Sequence, residues 1–185
     1  VYAIQMQAGP RGLGMGYEQF IEQFVSICQE HLEAGCAKAF AFVFYDMAHG
    51  VVRQALHDAS GFRLLHERTG KDFTLFYLHS SAIDAYCQDF NERFMSALGI
   101  GDQASPPCMV FFHVHNGSIQ DVSIYDIDDQ TEDPVLVAAE LEQYVGQAKK
   151  LMYEQGNLAP LFDVRKLIPG FVSCAEFITK LKGWN

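Results

Sequence analysis

Asp46 and His49 lie three residues apart in Tyr45-Asp46-Met47-Ala48-His49-Gly50. A carboxylate at that spacing can orient an imidazole as a general base. No nucleophile accompanies them in the sequence, and the plainer reading is a solvated loop histidine. His113 and His115 alternate along an apolar run, so both face one side, with Asp121 beyond the next turn. Two imidazoles and a carboxylate are metal-ligand types, but metal sites take three or four converging ligands. No metal is expected there. Cys108 follows Ser105-Pro106-Pro107 and can form a mixed disulfide with a partner. Its plainer reading is a small apolar residue opening a buried strand, since free cysteine is among the most buried residue types.

Gly9-Pro10-Arg11-Gly12-Leu13-Gly14-Met15-Gly16 follows the strand-like Val1–Gln7 and precedes a helix. It mimics a dinucleotide-binding turn, with phosphate approaching the helix N-terminus and Asp46 taking ribose hydroxyls. The spacing is not Gly-x-Gly-x-x-Gly, Asp46 lies too far on, and the chain has no subsequent Tyr-x-x-x-Lys or Gly-Lys-Ser/Thr. A flexible connection is the plainer reading, and a nucleotide-dependent oxidoreductase is the rival function. Asp126, Asp128, Asp129, Glu132 and Asp133 form an acidic segment suited to a basic partner or calcium. It lacks the EF-hand register, so a solvated loop is the safer reading.

These residues sit in a chain of 185, of which 49% are apolar, 19% charged and fifteen phenylalanine. That excludes a disordered chain and a small disulfide scaffold. A net charge of −10 argues against a nucleic-acid partner, which would need clustered Lys and Arg. The longest apolar run, Ala39 to Tyr45, is strand-sized and far too short to cross a membrane. The N-terminus lacks the basic and long apolar regions of a secretory signal. Cys28, Cys36, Cys87, Cys108 and Cys174 make an odd, scattered set, which suits reduced thiols and a cytoplasmic location.

Periodicity predicts the elements that must position these groups. Tyr17, Phe20, Ile21, Phe24, Val25, Cys28 and Leu32 mark one helix face. Ala39–Tyr45 reads as a strand covered on both sides, followed by a helix from about Gly50 to Arg68. Phe73–Leu78 is a second buried strand, and a helix capped by Ser81 and Asp84 ends at Gly99. Cys108–Val114 and Ser118–Tyr125 flank Asn116-Gly117, the strongest hairpin signal in the chain. Asp133 caps a helix with Pro134 at its first position. Ser173-Cys174-Ala175-Glu176 caps a short final helix. Alternating strands and helices call for a largely parallel sheet, made mixed by the terminal hairpin.

With this order of elements, Pro107 directly before Cys108-Met109-Val110-Phe111-Phe112, and the turn Val114-His115-Asn116-Gly117 before a last amphipathic helix, residues 1 to about 153 resemble the thioredoxin-like fold. The resemblance implies an α/β, three-layer α/β/α sandwich with a mixed central sheet, spanning residues 1–155. A C-terminal helical extension, 156–185, would pack on the domain or mediate a homodimer. It also implies a cis-proline at Pro107. The family's redox Cys-x-x-Cys would fall within Tyr45–Val51, which holds no cysteine. Dithiol–disulfide exchange is therefore not expected, and no cofactor is. What remains is binding of a protein or small ligand in a groove framed by Asp46, Met47, Ala48, His49 and Gly50 on one side. Ser105, Pro106, Pro107 and Cys108 would frame the other.

Overall fold

A segment apolar at every position is stable only where both of its faces are covered. In the computed structural model Ala39–Phe44 forms such a strand, β2, with all six residues buried. The structure describes residues 3–8, 22, 26, 29, 39–46, 48–57, 73–80, 84–128, 130–153, 166–168 and 172–183. The glycine-rich segment 9–16, Met47 and Asp129 lie outside the described residues. So do nearly all of the helix expected over residues 17–32 and the far end of the one expected from Gly50.

The other strands are β1 (Ala3–Ala8), β3 (Phe73–Ser80), β4 (Cys108–His115), β5 (Ser118–Asp126), β6 (Lys166–Ile168) and β7 (Val172–Ser173). They form one sheet in the order β1-β3-β2-β4-β5-β6, with β7 also on β5. β3 is parallel to β1 and β2, whereas every other pairing is antiparallel. The sheet is thus mixed, but not largely parallel as the alternating elements suggest. The reason lies between β3 and β4. Val43 pairs with Tyr77 towards the end of β3, and Phe44 pairs with Cys108 at the start of β4. The chain leaves β3 and enters β4 at one end of the sheet, so helix α2 (Asp84–Leu98) and residues 99–107 make a round trip.

Side-chain alternation along β2 divides the core in two. Phe40, Phe42 and Phe44 face α2 and the final helix α4 (Cys174–Lys182), packing with Phe94, Phe112, Phe177 and Leu181. Phe42 and Phe94 lie 5.6 Å apart by ring centroids, within the range favoured by aromatic pairs. Ala39, Ala41, Val43 and Tyr45 face the other way. They pack against helix α1 (Gly50–His57) and helix α3 (Pro134–Tyr153) through Val52, Leu56, Val137, Leu141 and Val145. Helices therefore cover both faces of the sheet.

The local signals act as their chemistry predicts. At the end of α2, Gly99 has φ 74°, and the N–H groups of Gly99 and Ile100 return to the carbonyls of Ser96 and Met95. That closes the helix with the left-handed residue that glycine supplies without a Cβ penalty. Asn116 and Gly117 both have positive φ, as a two-residue hairpin turn between His115 and Ser118 requires. The Asp133 carboxylate accepts the Val135 N–H at 2.9 Å, capping α3. Ser173 Oγ accepts the Glu176 N–H at 3.0 Å, capping α4. β6 and β7 are not evident from sequence, because two or three residues carry no periodicity. Both pair with β5, and α4 buries Cys174, Phe177, Ile178 and Leu181.

Candidate functional site

The register of β2 and β4 sets the geometry. Phe44 closes one strand directly opposite Cys108, which opens the other. The segment after Phe44 and the segment before Cys108 therefore leave the sheet side by side. The first is Tyr45–Gly50, which leads into α1. The second is Ser105–Pro107, whose Pro106–Pro107 peptide bond is cis. β5 ends there too: Asp126 pairs with Cys108, and the Ile127 N–H donates to the Pro107 carbonyl at 3.0 Å.

In the first segment, Asp46 organises a tight turn. Its Oδ1 accepts the Ala48 N–H at 2.8 Å and lies 2.8 Å from His49 Nδ1. The His49 N–H donates to the Asp46 carbonyl, and the His49 carbonyl accepts the Arg53 N–H as α1 begins. The Asp46 N–H also approaches His49 Nδ1, at 3.2 Å. One ring nitrogen cannot both donate and accept, and we assign the proton to Nδ1 because its contact with the carboxylate is shorter and charge-assisted. Nε2 then carries the free lone pair, and it hydrogen-bonds no described residue. No hydrogen bond joins the imidazole to Ser105, so the two are not paired as base and nucleophile.

The second segment grades from surface to core. Ser105 is exposed, Pro106 half-buried, and Pro107 and Cys108 buried. Burial, reinforced by the nearby Asp126 carboxylate, pushes the Cys108 thiol up to about 12. A thiol at that value is protonated at neutral pH and is neither a nucleophile nor a ready partner in disulfide exchange. Its side chain belongs to the same core as Phe44, so the accessible parts of this loop are Ser105 and Pro106.

Asn91, on α2, supports the site in a way the sequence reading overlooked. Its Nδ2 donates to the Tyr45 carbonyl at 3.0 Å while only 5% of the residue is exposed. The signal was present: Asn91 shares the helical face of Phe94, Met95 and Leu98, where a polar residue needs a buried partner.

No protein-family model matches the chain, and comparison with curated proteins and with solved structures gave no significant match. The geometry alone therefore carries the functional reading. Among the described residues no helix is long and apolar enough to cross a membrane.

The remaining sequence candidates separate. His113 Nδ1 lies 3.5 Å from Asp121 Oδ2, whereas His115 is exposed. Asp121, at φ 54°, sits in a break of register opposite Phe111–His113, a bulge that re-aims its side chain. Among the described residues no three His, Cys, Asp or Glu side chains converge as a metal site. Within the acidic segment, Asp128 is bonded to its neighbours. Asp128 accepts from the Gln130 N–H and the Thr131 hydroxyl, and its own N–H points at the Glu140 carboxylate. Glu140 also lies 2.6 Å from the Tyr144 hydroxyl, whose proton is shared with the Asp126 carbonyl at 2.9 Å.

Proposed function

We propose that this chain is a thioredoxin-like domain without a redox dithiol, and that it binds a protein or small ligand at the sheet end just described. The groove is framed by Asp46, Ala48, His49 and Gly50 on one side and Ser105–Cys108 on the other, with Cys108 as buried support. The observation that carries the reading is the pairing of Phe44 with Cys108, which sets the two loops next to each other. The cis bond directly before β4, the hairpin into β5 and the amphipathic last helix of the domain agree with the family's pattern. Residues 1–155 would be the domain, with the chain beyond packing on it. Reduced, buried Cys108 and Cys174 fit a cytoplasmic setting.

Thiol exchange is unsuited to this site. Tyr45–Val51 contains no cysteine, and Cys108 is held as a buried neutral thiol. A fixed turn, a half-buried imidazole with a free nitrogen, and an exposed serine hydroxyl instead offer polar contacts beside an apolar prolyl surface. That mixture suits recognition of a short segment of another chain or of a small polar ligand.

The test uses peptides selected on the native chain from a phage-displayed random library. They should bind the native chain and lose about tenfold or more in affinity for Ser105→Trp and for Ala48→Trp, each of which fills the groove from one side. Unchanged affinity for both variants would refute the site. Insulin reduction in the presence of dithiothreitol should not exceed the rate without the protein, and robust turnover would refute the non-redox assignment.

A further inference from the structure

Among the described residues the two most exposed large apolar side chains are neighbours at the start of α3: Val135, 70% exposed, and Leu136, 59% exposed. Ala139, one turn beyond Val135, is exposed as well, so the apolar strip continues along the helix surface. Solvated aliphatic side chains in the first turn of a well-capped helix add little to the fold, and neighbouring ones offer apolar area that a partner can cover.

The charge around the strip says what would cover it. From Asp128 to Glu142 the sequence holds six acidic residues and not one Lys or Arg. Glu132 and Asp133 directly precede α3 and are exposed, as is Asp128. Hydrogen bonds tie Asp128 to Gln130, Thr131 and Glu140, and Asp133 to Val135, so these carboxylates are displayed in set positions. A fixed acidic rim around an apolar centre complements a segment with an apolar anchor flanked by Lys or Arg.

We propose that Val135, Leu136 and Ala139, rimmed by Asp128, Glu132 and Asp133, form a docking surface for a basic amphipathic segment of a protein partner. The proposal goes beyond the groove reading and stands whether or not the groove binds. The acidic rim would speed encounter and make it salt-dependent, while burial of the aliphatic pair would set the lifetime.

The probe is a fluorescein-labelled helical peptide with one face of leucine and the rest lysine, followed by anisotropy against the whole chain. Two companions have the same length: one replaces leucine by serine, and the other replaces lysine by glutamate. The Leu/Lys peptide should bind, more weakly as salt is raised. The Ser/Lys peptide should bind at least about tenfold more weakly, and the Leu/Glu peptide not at all. Val135→Ser with Leu136→Ser should weaken the Leu/Lys peptide about tenfold while leaving the phage-selected groove peptides unaffected. Glu132→Lys, which alters no buried contact, should weaken it too. Equal affinity of the Ser/Lys and Leu/Lys peptides, or unchanged binding by the double variant, would overturn the proposal. So would concentration-dependent dimerisation abolished by the double variant, since a second copy would then be the occupant.

Discussion

The rings of Tyr125 and Tyr144 lie 4.9 Å apart, yet only one of the two hydroxyls has a partner among the described residues. Tyr144 reaches the Glu140 carboxylate and the Asp126 carbonyl. The Tyr125 hydroxyl is buried with no hydrogen-bond partner among the described residues, in a residue only 1% exposed. Removing an unsatisfied buried hydroxyl relieves its desolvation cost, whereas removing a satisfied one strands its partners. Tyr125→Phe should therefore keep stability or raise it by about 1 kcal/mol, while Tyr144→Phe should lose about 1 kcal/mol. Urea unfolding of the two variants beside the native chain measures both.

The same burial makes the fold labile to alkali. Burial raises Cys108 from 9.0 to about 12 and Tyr125 from 10.0 to about 12. Between those values the unfolded chain has released protons that the folded chain still holds, so stability falls as pH rises. As far as these two groups decide it, unfolding free energy should be level from neutral pH to about pH 9 and decline above that. Cys108→Ala with Tyr125→Phe should lessen that decline without removing it, since burial and the Glu140 carboxylate push the Tyr144 hydroxyl up as well. With a value of about 12, only about one Cys108 in ten thousand is ionised at pH 8. Alkylation mapped by peptide mass spectrometry should therefore miss Cys108 in the native chain and find it after denaturation.

On the acid side the group to watch is His113. Burial lowers its pKa below 6.5, and the contact with Asp121 offsets this only in part. The unfolded chain takes up a proton just below 6.5 while the folded chain resists until lower pH. The stabilising contribution is complete above 6.5 and is lost as pH falls through the folded value. His113→Gln should reduce the loss of stability on acidification below 6.5, and Asp121→Asn should steepen it. Denaturation midpoints across that range decide the point.

Two turn positions carry local costs of different origin. Gly99 has open space around its Cβ position but a φ of 74°, so Gly99→Ala should cost about 1 kcal/mol by conformation rather than collision. Asp133→Ala removes the side-chain cap of α3 and should also cost about 1 kcal/mol. Thermal unfolding of each variant provides the check.

Much of the architecture was legible because strong local signals agreed with periodicity. Ala39–Phe44 reads as a central strand, Asn116-Gly117 as a turn and Asp133-Pro134 as a helix start, and the structure has all three. What escaped was set by distance along the chain. The antiparallel entry of β4 depends on where residues 99–107 return, and the pairing of β6 and β7 on β5 depends on a neighbour some fifty residues away in sequence. At the site, the spacing of Asp46 and His49 and the prolines before Cys108 were readable in advance. The register that joins them was not, nor was the buried Asn91 contact with Tyr45.

The most direct test of the groove is an amide NMR titration of the whole chain with a phage-selected groove peptide. The largest shifts should fall on Asp46, Ala48, His49, Gly50, Ser105 and Cys108, two segments joined by the pairing of Phe44 with Cys108. Shifts confined to one of those segments, or gathered on β6, β7 and α4, would contradict it.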